Sequence, residues 1–295
     1  MPTYAFVTLD VFTDRRFGGN PLAVFPEAQG ISDADMQALA AEFNLSETTF
    51  VLPPSDPDST ARVRIFNRTA EMPFAGHPNV GTGYVLAGQG RDNNGTLRFE
   101  ERAGIVEVRV ARDAAGGLTG AVIDAPRALV LGPELTADQV AACAGVAPRD
   151  VVTTAHRPVQ ASVGVDFFFA EVSAEALGRA GPDLTGFRQV AAATDTGGDR
   201  LSLFLYARDG AALRARMFAP LSGTFEDAAT GSASATLGAL LLSLTDAAAA
   251  SYEIVQGVEM GRPSRLSVSA RRGADGVRAS VGGSCAPMFR GEVSL

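Results

Sequence analysis

Residues 61–66, ARVRIF, lead through an irregular turn into AGHPNVGTGYVLAG (75–88), and residues 213–218, LRARMF, lead into ATGSASATLGALLL (229–242). Arg62, Arg64 and Phe66 of the first stretch match Arg214, Arg216 and Phe218 of the second. Gly76 follows Phe66 by ten residues, and Gly231 follows Phe218 by thirteen. Each copy reads as strand, turn, glycine and small-residue helix. A long series of such units makes a solenoid, whereas a single pair implies two similar lobes.

The flanking sequence fits that division. YAFVTLDVF, ETTFVLP and IVEVRVAR in the first half, and DFFFAEV, RLSLFLYAR and RLSVSARR in the second, read as strands. Helix starts are signalled at Ser32, three residues before Asp35, and at Thr136, three before Gln139. The stretch around Arg127 to Pro133 separates the two inventories, which places the lobes at 1–126 and 127–295 of an α/β (α+β) protein. A length of 295 residues is also what two cores of ordinary size require.

Composition removes several classes of function. A net charge of -8 repels phosphate backbones and anionic lipid, so neither nucleic acid nor a membrane is expected as a partner. The opening MPTYAFVTLDVF has no basic start followed by an apolar run, which predicts a cytoplasmic protein. Cys143 and Cys285 lie far apart without metal-type spacing, and read as buried thiols. His77 and His156 have no second histidine at i+3 or i+4, and there is no nucleophile elbow, P-loop or GxGxxG. No metal and no cofactor are expected. His156, in HRPVQ, reads as a surface loop residue.

The chemistry gathers at the two glycines. Pro78 suits the first turn of a helix because its missing N–H has no partner there. The free amides around Gly76 and His77 then face outward at the positive end of the helix, where a carboxylate can dock. Thr230-Gly231-Ser232 offers the same geometry with two hydroxyls, and Asp227 stands just upstream. A helix N-terminus disfavours the imidazolium, so His77 should be a neutral ring able to hydrogen-bond a ligand. Glu47, between the helix end FNLS and the apolar strand TTFV, is a candidate base, since partial burial raises a carboxyl toward the neutrality a carbon acid requires.

Five blocks carry a family resemblance: DVFTDRRFGGNPLAVF, MQALAAEFNLSETTFV, ARVRIFNRTAEMPFAGHPNVGTGYVL, GTFEDAATGSASATLGALL and QGVEMGRPSRL. In order and content they resemble the PhzF family, which is named for an isomerase of phenazine biosynthesis and is similar in fold to diaminopimelate epimerase and proline racemase. The resemblance implies two pseudo-symmetric lobes, each a mostly antiparallel sheet wrapped around a central helix, with the active site in the cleft between them. It also implies that a strand near 285–295 crosses back to complete the first lobe. It places the proton-shuttling glutamate at Glu47, the orienting histidine and aspartate at His77 and Asp227, and a serine at Ser232. Gly76 and Gly231 fall on the glycines whose helix starts receive the substrate carboxylate, with Ser46 and Asn20 as neighbouring pocket positions. A homodimer is implied too.

This chain departs from the family forms GHPT and EDPATGSA at Asn79 and Ala228. Where the epimerase relatives carry two cysteines it has Ala75 and Thr230, which excludes a two-thiol mechanism. The expectation is a cofactor-independent isomerase that moves a proton on a small carboxylate by general acid/base catalysis. Epimerisation or dehydration of an amino or hydroxy acid stays open as an alternative, as does a small-carboxylate binding protein without turnover.

Overall fold

A computed structural model describes residues 1–194, 201–210 and 212–295. Arg200, the first residue of RLSLFLYAR, lies outside them. The chain divides into two compact units, Met1–Pro126 with Val281–Leu295, and Arg127–Ser280.

The first runs β1 (Thr3–Val11), β2 (Asn20–Phe25), α1 (Asp33–Phe43), β3 (Glu47–Leu52), β4 (Ala61–Phe66), β5 (Glu71–Met72), α2 (Gly76–Gly88), β6 (Thr96–Glu101), β7 (Gly104–Arg112) and β8 (Leu118–Asp124). The second begins with β9 (Val130–Glu134), α3 (Ala137–Ala144), β10 (Val151–Val152), β11 (Val159–Ser162), β12 (Asp166–Val172), α4 (Ala174–Arg179) and α5 (Leu184–Ala193). It continues with β13 (Leu203–Asp209), β14 (Ala212–Ala219), β15 (Thr224–Asp227), α6 (Gly231–Ser243), β16 (Ala249–Gln256) and β17 (Ser264–Gly273). A last strand, β18 (Gly276–Ser294), begins in the second unit and ends in the first.

The two units repeat one another strand for strand. In the first, β1 and β2 pair antiparallel, β2 and β3 parallel, β3 and β4 antiparallel, β4 and β6 parallel, and β6 and β7 antiparallel. The same sequence of directions runs through β11, β12, β13, β14, β16 and β17 in the second. The first sheet is completed by β18, which pairs with β1 from Thr3 against Ser294 to Val11 against Cys285, and with β8. In the second, β9 lies against β11, and a backbone bond from Leu129 to the Val277 carbonyl draws its ends together.

Each sheet wraps a single helix. α2 packs on β1, β2, β3, β7 and β8, and α6 on β11, β12, β16 and β17. A helix enclosed on every side has no polar face, so both are apolar and small-residue all round. The eighth residue of each is glycine: a Cβ at Gly83 would collide with Val108 of β7, and one at Gly238 with Val268 of β17. The echoed arginines repeat too. Arg64 grips Glu71 with two bonds of 2.8 and 2.9 Å, and Arg216 grips Glu226 with two of 2.8 Å. Each guanidinium lies 5.0 Å from the ring centre of the next phenylalanine, Phe66 or Phe218.

The remaining helices cover outer faces. α1, capped by Ser32, lies over Phe25, Phe50 and Phe66, of which Phe25 and Phe50 stack at 4.9 Å. α3, capped by Thr136 and Gln139, joins α4 and α5 over Phe168, Leu203 and Leu205. Among the described residues no helix is long and apolar enough to cross a membrane.

Candidate active site

α2 and α6 start differently from the other α-helices. Ser32, Thr136, Ser173 and Asp183 each accept a first-turn amide at the starts of α1, α3, α4 and α5. Ala75 and Thr230, the residues before Gly76 and Gly231, make no side-chain cap, and neither first turn carries an acidic residue. The positive ends of the two enclosed helices thus carry neither a side-chain cap nor an acidic residue of their own.

In the first unit five candidate residues gather at one such start. The parallel pairing of β2 and β3 sets Leu22 opposite Glu47 and so brings Asn20 and Ser46 together. Ser46 Oγ donates to Asn20 Oδ1 at 3.0 Å, the Asn20 amide nitrogen lies 3.4 Å from His77 Nδ1, and Glu47 Oε2 lies 3.5 Å from His77 Nε2. Gly76, which precedes His77, is buried. The Glu47 side chain keeps 17% of its exposure, enough to meet a ligand, whereas His77 keeps 5%.

Burial pushes His77 down to about 3, against the opposing pull of a hydrogen bond to the Pro21 backbone. The ring is neutral, as its position predicts, but desolvation is the larger cause. Pro21 has no N–H, so the group its backbone offers the ring is the carbonyl. The Glu47 contact is therefore not an ion pair.

In the second unit Asp227, Gly231 and Ser232 gather at the start of α6. Asp227 Oδ2 accepts from Thr230 Oγ1 at 2.7 Å. The residue that holds this turn, Gln256, has no exposure and was not singled out from the sequence. Its Oε1 accepts from the Thr230 amide at 3.0 Å, and its Nε2 donates to the Asp227 carbonyl at 2.8 Å and to Thr230 Oγ1 at 3.0 Å. Ser264 Oγ adds a bond of 2.9 Å to the Ala228 carbonyl. Gly257, at φ +74, lets the chain pass a carbonyl that a Cβ would strike. Gln256, Gly257 and Ser264 all fall in the block QGVEMGRPSRL, which was the available signal.

His156 corrects the surface-loop reading. It lies in a loop but is half-buried, stacked on Tyr206 at 5.9 Å, with Nε2 2.7 Å from the Tyr206 hydroxyl. Tyr206 donates to Glu171 at 3.0 Å, and Arg208 donates to the other Glu171 oxygen at 3.0 Å. These partners come from strands distant in sequence, so local context could not show them. Cys143 and Cys285 are buried free thiols, the first pushed up to about 12 and the second also raised, both mainly by desolvation. Among the described residues no three His, Cys, Asp or Glu side chains cluster as metal ligands.

The family model described as phenazine biosynthesis-like protein matches residues 9–291. An uncharacterized isomerase of Mesorhizobium japonicum is 36% identical, with all of both chains covered. The trans-2,3-dihydro-3-hydroxyanthranilate isomerase of Pseudomonas aeruginosa is 33% identical over 99% of this chain and 100% of its own. A PhzF-family phenazine biosynthesis protein of Bacillus anthracis superposes with a TM-score of 0.87 at 23% identity, covering 100% of each chain. A hydroxyproline epimerase of Agrobacterium vitis shares the fold, with a TM-score of 0.64 at 12% identity over 99% of this chain and 93% of its own.

Proposed function

The chain belongs to the phenazine biosynthesis-like (PhzF) family, has its diaminopimelate epimerase-like fold and is an isomerase, and from that premise we propose that Glu47 moves a proton on a small carboxylate substrate without a cofactor. The observation that carries the reading is the grouping of Glu47, His77, Asn20 and Ser46 at the uncapped start of α2. A substrate carboxylate would take the free amides at Gly76, and its counterpart at Gly231 would receive a second polar group. That both helix starts serve one substrate is part of the proposal and rests on the resemblance. Its support within each unit is the same N-terminus without a side-chain cap.

In the proposed step the Glu47 carboxylate removes a proton from a carbon made acidic by conjugation. The electron pair spreads into the conjugated system, and Glu47 returns the proton to another carbon of that system, so no oxidant or reductant enters. His77, a neutral ring, would hydrogen-bond one polar group of the substrate, and Asp227 would orient a further one. The relatives' named substrate, trans-2,3-dihydro-3-hydroxyanthranilate, is a cyclic amino carboxylate and fits this description. We take that class as the first to test, with a homodimer in the cytoplasm as the proposed setting. Ala75 and Thr230 supply no thiol at either helix start, which disfavours two-thiol epimerisation.

The test incubates cyclic amino and hydroxy carboxylates with the protein in heavy water and follows carbon-bound deuterium by NMR. Uptake that disappears in Glu47→Gln supports the proposal. Tight binding of a carboxylate with no exchange would favour the binding-protein reading instead.

A further inference from the structure

The block QGVEMGRPSRL (256–266) supplies no residue to the proposed step, yet it closes on the turn that carries Asp227. Gln256 ends β16, is fully buried, and spends both polar atoms of its side chain on that turn. The partners fix the direction of each bond. Oε1 lies 3.0 Å from the Thr230 amide, which only donates, and Nε2 lies 2.8 Å from the Asp227 carbonyl, which only accepts. The second Nε2 proton goes to Thr230 Oγ1 at 3.0 Å. Thr230 has one hydroxyl proton of its own to give, and the acceptor at 2.7 Å is Asp227 Oδ2. The relay thus has a single sense: Gln256 donates to Thr230, and Thr230 donates to Asp227.

Ala228 stands where the family form has proline, so no ring fixes the backbone between Asp227 and Thr230. Hydrogen bonds hold it instead, from Gln256 to the Asp227 carbonyl and from Ser264 Oγ to the Ala228 carbonyl. The first unit has no such relay. Its register pairs Arg62 with Glu100 as the second unit pairs Arg214 with Val255, so the counterpart of Gln256 is Glu101, the last residue of β6. A carboxyl group carries at most one proton and cannot make two donations, and Ala75, the counterpart of Thr230, has no hydroxyl to pass one on.

We propose that Gln256 is a positioning residue for Asp227, which acts through the Thr230 hydroxyl to hold the carboxylate in one orientation at the start of α6. The part that concerns substrate rests on the reading of Asp227 as a group that orients it. A β-branched side chain leaves Thr230 few rotamers, so its hydroxyl has a set place, and a carboxylate bonded to it is set in turn. Asp227 then meets substrate already ordered, which favours both binding and the reacting geometry.

Thr230→Val is the test, because it keeps the shape of the side chain and both backbone bonds to Gln256 while deleting the hydroxyl. In NMR spectra of the full wild-type chain, both Gln256 side-chain amide protons should lie downfield and exchange slowly with solvent. In Thr230→Val the proton given to Oγ1 should move upfield and exchange faster, while the other stays. Two unmoved protons would show that there is no relay. With trans-2,3-dihydro-3-hydroxyanthranilate as the probe, kcat/KM in Thr230→Val should fall about ten- to a hundredfold, divided between a higher KM and a lower kcat. Thr230→Ser, which restores the hydroxyl, should recover most of that loss. Combining Thr230→Val with Asp227→Ala should be no worse than Asp227→Ala alone, since the relay acts through that carboxylate. Losses that multiply, or wild-type kinetics in Thr230→Val, overturn the positioning role. Gln256→Glu puts an acceptor where the donor stood and should lose at least as much as Thr230→Val, which decides alone if Gln256→Glu does not fold. A wild-type protein that leaves this probe unchanged counts against the proposed function and the substrate part together, and the amide protons still decide whether the relay exists.

Discussion

Glu47 Oε2 lies 3.5 Å from Nε2 of His77, a ring that burial keeps neutral. A ring that takes a second proton only near 3 is a weak base, so the proton transfer is assigned to Glu47. Glu47→Gln keeps the volume and removes the base. Ligand binding should survive while kcat falls by at least roughly 10²- to 10⁴-fold. His77→Ala and Asp227→Ala should raise KM as well as lower kcat. Steady-state kinetics beside ligand titration separates these outcomes, and a folded Glu47→Gln protein exchanging substrate protons at the wild-type rate would end the assignment.

Two buried groups tilt stability in opposite directions with pH. The His77 pKa is depressed from 6.5 to about 3, so the unfolded chain takes up a proton that the folded one refuses. Stability is full above 6.5 and is lost as pH falls toward 3. Glu101 is raised from 4.5 to about 8, so its contribution is full below 4.5 and is lost as pH rises through 8. Urea midpoints measured across pH should flatten on the acid side in His77→Gln and on the alkaline side in Glu101→Gln. Matching slopes in wild type and variants would refute both assignments.

Cys143 and Cys285 should be irrelevant to the chemical step. Their thiols are buried and raised, and Ala75 and Thr230 occupy the two helix starts. Replacing both cysteines by serine should lower the melting temperature through the buried hydroxyls and leave kcat within about twofold. Loss of turnover in a folded double variant would return the thiols to the mechanism.

Gly83 and Gly238 let a valine side chain of the enclosing sheet sit against each central helix. Gly83→Ala or Gly238→Ala should each cost on the order of 1–3 kcal/mol by overpacking, although alanine is the better helix former. Pairing Gly83→Ala with Val108→Ala, or Gly238→Ala with Val268→Ala, should recover part of that loss in a thermodynamic cycle. A stabilising single substitution would mean the helices are looser than the structure shows.

The duplicated plan was legible because it rests on local features: an arginine ladder, an aromatic, a glycine and a small-residue helix. Candidate residues could be picked out singly for the same reason, since a glutamate at a strand start and a glycine before a proline carry their own signals. Other strands were hidden by their surroundings. NPLAVF of β2 is buried at five of six positions and shows no alternation, whereas VLGPE of β9 is exposed throughout and looks like loop. Gln256 was missed because it matters through Thr230 and the Asp227 carbonyl, which only the folded sheet brings near.

The 19 residues of β18 set an order of events for a chain that leaves the ribosome from its N-terminus. One edge of β1 pairs with β2 and the other with residues 285–294, so the second edge waits for a segment made long after β1. The second unit draws its own strands from a continuous stretch, Arg127–Ser280, and has all of them before that segment appears. Vectorial synthesis should therefore let the second unit mature ahead of the first, with one edge of β1 unpaired until residues 285–294 have emerged.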